Sequence, residues 1–285
     1  MTKSLMFERP RENEFTQGTV FSCAHAEDYL EASVYGLVVT ARCDAAQDKT
    51  PIFSYIPVVS LHDWILGDGA NIVMDRLSSE CQSTLRSALK DASLSDSLMG
   101  TKSVDEIYES HFKVRENDKE WRKRCPKIQA SIDMYKKTQL LRVVNNNKDE
   151  RKAQLKTNTA TVDAVVKELS GNRLTGFYLL RDMPSLNGDE SNYVALLREI
   201  HHIPTVLIRK MVQGISKQAW PMDENGKLHC PKFVGADDLA APVAKLKSPW
   251  IEHVMQNFTM LFARIGVADN DFIAVKKSLS SIGLD

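Results

Sequence analysis

Cys43 and Asp44 stand side by side just after a β-forming run that ends at Thr40. A thiol next to Arg42 can have its thiolate stabilised, and the end of a strand is where a nucleophile becomes accessible. His201 and His202 lie on a later apolar stretch, so a closed sheet could carry His201 to Cys43 and create a Cys–His relay. The alternative is structural: Cys43 as a small buried apolar residue and Asp44 as a turn former. Adjacent histidines on a strand point to opposite faces.

Other chemistry-bearing groups give weaker patterns. Cys23 and His25 are one residue apart, His229 and Cys230 are neighbours, and His201 with His202 could add an imidazole. Structural zinc sites place two residues between paired cysteines, a spacing that does not occur here, so no metal is expected. Neither G-x-x-x-x-G-K-[ST] nor a strand-borne G-x-G-x-x-G is present, so nucleotide and dinucleotide readings lack a phosphate grip and no cofactor is expected. Asp223–Glu224 and Asp237–Asp238, near Gly226 and Gly235, read as turn and capping groups rather than a Mg²⁺ site.

A binding surface is the other candidate. Lys119, Trp121, Arg122, Lys123, Arg124 and Lys127 form the richest basic stretch, continued by Lys136, Lys137 and Arg142. An aromatic face flanked by guanidinium groups can stack a base while the cations hold phosphates. The same tryptophan could anchor its segment on the rest of the protein, and the charges could be solvated or paired within the molecule.

The elements that must position these residues follow from periodicity. Thr19–Phe21, Val34–Thr40 and Ile52–Val59 are β-branched and aromatic runs that predict an antiparallel sheet. From Leu61 to about Leu98 the spacing turns helical, with Asp63 near a helix start. It continues through Ile107, Tyr108 and Phe112, is interrupted at Pro126, and resumes at Ile128, Ile132 and Tyr135. Asn145, Asn146 and Asn147 mark a break, and Val162–Leu169 predicts a helix ending at Gly171. Strand character returns at Phe177–Leu180 and Tyr193–Ile200, a hairpin around a loop with Pro184, Asn187 and Gly188. A last helix is predicted with Ser248 as N-cap, Pro249 in its first turn and Gly266 as its C-terminal cap. Ile251, Val254, Met255, Phe258, Leu261, Phe262 and Ile265 form its apolar stripe, which must face the sheet because one helix cannot bury itself. The tail from Val267 to Asp285 holds a short apolar pattern.

The order of strands, with Gln17–Gly18–Thr19–Val20–Phe21, Gly36–Leu37–Val38–Val39–Thr40, Ile56–Pro57–Val58, and Val194–Ile203 followed by Arg209, resembles the small SH3-like barrel of the MazF/PemK/Kid toxins. It covers about a third of the chain in separate pieces. Val39–Thr40–Ala41–Arg42–Cys43–Asp44, Pro57, Lys247–Ser248–Pro249 and Arg264–Ile265–Gly266 also look like larger bacterial proteins of genome-defence neighbourhoods. The toxins' ribonuclease site uses an arginine before the second strand's proline and a threonine two places after the third strand's proline. Val34–Tyr35–Gly36 and Val59 stand there instead, so the resemblance implies the barrel without the toxin's RNA-cleaving mechanism.

The fold class expected is α+β: a discontinuous SH3-like barrel from residues 1–60 and 171–285, split by a helical insertion over 61–170 and closed by a C-terminal helix. At 285 residues the chain can bury a core without staples, and 26% charged with 43% hydrophobic residues excludes wholesale disorder, collagen and a coiled-coil rod. Thirty-seven basic and thirty-seven acidic groups cancel overall, yet residues 1–112 carry a net −8 and residues 113–156 a net +8. Any attraction for nucleic acid is therefore local. Five scattered cysteines read as reduced thiols. With no long apolar run and no basic leader, a cytoplasmic protein without membrane contact is expected. The function expected is a non-catalytic component of a bacterial toxin-like or anti-phage system, bound to RNA, single-stranded DNA or a partner from its operon; a homodimer is left open. The alternatives are a hydrolase or nuclease using Cys43, Asp44 and a histidine, and a structural assembly subunit that forms a stable complex but has no nucleic-acid affinity.

Overall fold

A computed structural model describes residues 5–11, 14–43, 50–143, 148–186, 189–220 and 229–262. Ten short strands are described: β1 (Phe7–Glu8), β2 (Thr19–Ser22), β3 (Tyr35–Val38), β4 (Ile52–Ser60), β5 (Phe177–Pro184), β6 (Glu190–Leu196), β7 (His201–Pro204), β8 (Ile215–Ser216), β9 (Leu239–Ala240) and β10 (Pro242–Leu246). Eight of them make one antiparallel sheet in the order β1-β10-β2-β3-β4-β6-β5, with β7 also paired to β4. Near the two ends of this order the Arg181 amide donates to Met6 Sδ at 3.3 Å, so the sheet curls into a nearly closed barrel. The two distant parts of the chain share the sheet directly, through β10 on β2 and β6 on β4.

The helices α1 (Leu61–Leu66), α2 (Asp68–Asp91), α3 (Leu98–Thr101), α4 (Val104–Ile107), α5 (Cys125–Val143), α6 (Lys148–Thr157) and α7 (Thr159–Ser170) lie between β4 and β5 in the chain; α8 (Thr205–Met211) follows β7 and α9 (Trp250–Phe262) follows β10. The fold is α+β, with a barrel built from both ends of the sequence.

Strand alternation divides the apolar residues between two faces. Val20, Leu37, Ile56, Val58, Tyr178 and Ala195 fill one core, into which α9 inserts Ile251 and Val254. Their neighbours Phe21, Val38, Tyr55, Val59, Phe177 and Val194 pack on the other face against Trp64, Val73, Met74, Leu169 and Leu207 from the helices. Two glycines permit this. Gly18 has φ +89°, and a Cβ there would lie 2.9 Å from the Leu246 carbonyl oxygen, whose residue's amide donates back to Gly18. At Gly36 a Cβ would lie 2.3 Å from Phe21 Cζ, in the space that lets Phe21 meet Tyr55 edge to face at 5.1 Å.

Several local expectations are corrected. The helical region after Leu61 is broken at Gly67, and Ser60 Oγ caps α1 by accepting from the Asp63 amide at 3.0 Å. Pro126 does not interrupt a helix; it sits in the first turn of α5, where its missing N–H has no intrahelical role. Tyr108–Phe112 forms a π-helical turn and Lys113–Arg115 a 3-10 turn ahead of it. The run Tyr193–Ile200 is not one strand: β6 stops at Leu196, a turn follows in which the Glu199 amide donates to the Leu196 carbonyl, and β7 restarts at His201. Strands β1, β8, β9 and β10 and helix α8 had no prediction, since each is short and carries few periods of any pattern. Ile265, Gly266, the tail from Val267, Asn145–Asn147, Asn187 and Gly188 lie outside the described residues. No helix among the described residues is long and apolar enough to cross a membrane.

Candidate functional site

The insertion has a core of its own. The C-terminal half of α2 contributes Leu85 and Leu89, which pack with Ile107, Phe112, Trp121, Cys125, Ile128 and Ile132. The N-terminal half of the same helix, through Val73, Met74 and Leu77, packs on the barrel. A 24-residue helix is roughly 36 Å long, so α2 can serve both bodies. The bidentate Arg76–Glu168 pair, at 3.0 and 2.6 Å, ties it to α7.

Trp121 is 5% exposed. Its ring lies 5.6 Å from Phe112, and the guanidinium carbons of Arg115 and Arg124 sit 5.3 and 5.4 Å from its centroid. The faces a base would need are occupied, and the tryptophan anchors the insertion's own core. Lys119, Arg122, Lys123, Arg124 and Lys127 are exposed around it. Arg124 pairs with Asp91 at 2.9 Å, and no ion pair joins the other four to a carboxylate among the described residues.

The catalytic candidates separate. Cys43 is exposed, next to Arg42, whose guanidinium is 3.6 Å from Glu252 of α9. Asp44 lies outside the described residues, as do Asp223, Glu224 and Gly226. The β4–β7 register pairs Tyr55 with His201 and Ser54 with His202. His202 accordingly meets Ser54, with Nδ1 3.1 Å from Oγ, while His201 faces the Tyr55 side. The described contacts of His201 are with Glu199, His25 and Tyr55 and do not include Cys43.

Around His201 the structure assembles a cluster. Glu199 Oε1 is 2.6 Å from His201 Nε2 and accepts the Glu27 amide at 2.8 Å. The His25 ring lies 5.0 Å from His201 and 5.1 Å from His229, and its backbone N–H donates to the Tyr55 hydroxyl at 3.3 Å. Burial lowers the His25 imidazole below its ordinary 6.5, helped by the neighbouring charges of His201, Lys232 and His229, while Glu199 acts the other way. Cys23, in the left-handed region at φ 61°, accepts the Lys232 amide on its carbonyl at 2.7 Å and so draws the 229–232 segment onto the barrel. Burial pushes the Cys23 and Cys230 thiols up to about 12, so both are inert as nucleophiles. The Lys232 ammonium nitrogen is buried, has no hydrogen-bond partner, and is lowered by burial. Cys23, His25, His201, His229 and Cys230 thus converge in space although their spacing follows no metal motif. Among the described residues no group of three or more His, Cys, Asp or Glu could hold a metal ion.

Glu199, Lys232 and Tyr55 had no place in the sequence reading. A Glu-x-His pair was visible, but its meaning depends on the turn before β7 and on the register with β4.

A cleft of about 440 Å³ between residues 27–32, α1 and α2 adds an acidic feature. There Asp68 Oδ2 accepts the Tyr29 hydroxyl at 2.8 Å, and burial holds its carboxyl above the usual range. Arg151 is 4% exposed at the cleft and donates to the Leu66 carbonyl and to Asn71 Oδ1, both at 3.0 Å. It therefore acts as a structural clamp between α6 and the start of α2.

Comparisons with protein-family models, curated proteins and solved structures found no match. The site is read from its own geometry, on a nearly closed antiparallel barrel with a helical insertion.

Proposed function

We propose that the protein is a nucleic-acid-binding component of a bacterial toxin-like or anti-phage system, with a barrel of the SH3-like kind and a ligand surface on the basic insertion. The observation that supports this is the arrangement of Lys119, Arg122, Lys123 and Lys127: exposed, without carboxylate partners among the described residues, and set around a tryptophan that is itself locked in a core. Cations left unpaired on a rigid support can displace the counterions of a phosphate backbone. The ligand favoured is single-stranded RNA or DNA, with a protein from the same operon as the competing partner.

The test is salt-titrated binding of single-stranded RNA and DNA to the wild type and to a variant with all four cations changed to glutamine. Each lost phosphate contact lowers the slope of log K against log salt by about 0.7 for a single strand, so the variant's slope is expected to fall by up to about 3. An unchanged slope and affinity, together with a stable complex on pull-down from the native host, would favour the assembly subunit instead.

A second reading, a hydrolase, is favoured by one feature, the carboxylate-oriented His201 beside His25. A carboxylate that fixes the orientation of an imidazole is the arrangement a general base needs. On this reading cleavage of single-stranded RNA survives Cys43→Ala and is lost in His201→Asn; loss in Cys43→Ala with an intact fold would return the nucleophile to Cys43.

A further inference from the structure

Charge bookkeeping around β7 leaves one group unsatisfied. The Lys232 ammonium nitrogen is out of contact with water and has no hydrogen-bond partner. An isolated ammonium in the interior is costly unless something of opposite charge meets it. The one carboxylate among the charged groups around His25 is Glu199, and its Oε1 is already engaged by His201 and by the Glu27 amide. What surrounds Lys232 otherwise is imidazole: its charge is felt at His25, which stacks between His201 and His229. His25 is 9% exposed, the His201 side chain 17%, and His229 is open to solvent, so the cluster is buried on one side and reachable on the other.

We propose that Lys232, His25, His201 and His229 form a binding site for a phosphate group, either free or carried on a phosphate ester, that enters past His229. A tetrahedral dianion offers several acceptor lone pairs in divergent directions, which suits an ammonium and ring N–H donors converging from β7, residues 23–25 and residues 229–232. A planar carboxylate is satisfied by two donors in one plane and leaves the rest unpaired. Anion binding also reverses the electrostatic conflict of the cluster, since a dianion attracts the same protons that His25, His201, His229 and Lys232 repel from one another. Glu199 opposes the anion, and its engagement by two donors limits that repulsion. The site lies on the barrel and depends neither on the basic insertion nor on hydrolysis.

The test follows the ring Cε1–H NMR signals of the full-length protein's seven histidines during titration with inorganic phosphate at pH 6.5 and constant ionic strength, with acetate as the matched control. Signals of His25, His201 and His229, assigned from single His→Gln variants, are expected to move saturably with phosphate and not with acetate, while those of His62, His111, His202 and His253 stay still. Lys232→Met is expected to weaken the phosphate midpoint at least tenfold, and Lys232→Arg to keep it within about threefold. Phosphate and acetate acting alike, linear shifts shared by all seven histidines, or wild-type affinity in Lys232→Met would each overturn the site. Should Lys232→Met fail to fold, the wild-type contrast between phosphate and acetate still decides. A synthetic RNA dinucleotide run in parallel separates the sources: saturable shifts with free phosphate alone confine the site to the free anion, and shifts with both extend it to esters.

Discussion

Trp121 distinguishes a binding platform from a structural anchor. Trp121→Ala empties a site bounded by Phe112, Cys125 and Leu89, each 0% exposed, and removes the ring under Arg115 and Arg124. Truncating a buried tryptophan costs about 3–5 kcal/mol, and each cation–π contact at such a half-open site adds about 0.5–1 kcal/mol. At roughly 2–4 °C per kcal/mol for a chain of this size, the melting temperature should fall by on the order of 10 °C. Trp121→Phe keeps an aromatic filling and should lose less. If the ring instead stacked a base, its removal would weaken single-strand binding by about 1–3 kcal/mol per base, roughly 5- to 150-fold, with little effect on melting. The assay is circular-dichroism melting of both variants, with fluorescence anisotropy of a labelled single strand for Trp121→Phe. Wild-type melting of Trp121→Ala with more than tenfold weaker binding in Trp121→Phe would refute the anchor reasoning.

Thiol and pH behaviour supply two further checks. In the native protein at pH 8, iodoacetamide is expected to label exposed Cys43 first and half-buried Cys81 more slowly, while Cys23, Cys125 and Cys230 react only after denaturation, because all three are buried and burial raises their thiols; mass spectrometry reads the order, and simultaneous labelling of all five would contradict it. The folded protein holds His25 below its ordinary 6.5, so as pH falls past 6.5 the unfolded chain takes up that proton first and stability declines until the lowered folded value is passed. Urea midpoints between pH 7.5 and 5 should therefore fall less steeply in His25→Phe than in the wild type, and parallel profiles would remove His25 as a cause.

The elements carried by several periods of a pattern were legible. Strands β2, β3 and β4 stand where β-branched runs predict them, α7 ends against Gly171, and the stripe of α9 faces a core through Ile251 and Val254. Short elements were not. The five residues of β10 contain one lysine and one proline and show no clear alternation, yet this strand joins β1 to β2 and brings the end of the chain to its beginning. The site divides in the same way. That residues 113–156 concentrate positive charge is a matter of composition, and so is the presence of a histidine pair near residue 201.

By itself the sequence determined the α+β character, the splitting of the strands by helices and the local basic field, because propensity, periodicity and charge are properties of neighbouring residues. Only the tertiary structure decided that Trp121 turns inward, that His201 faces His25 and Glu199 rather than Cys43, and that Lys232 is buried without a counterion. Those outcomes depend on strand register and on contacts between residues as far apart as Cys23 and Lys232. Such contacts arise only after burial has selected one closure of the sheet, and a shift of one residue in the pairing of β7 with β4 would have placed His202 in the cluster and His201 outside it.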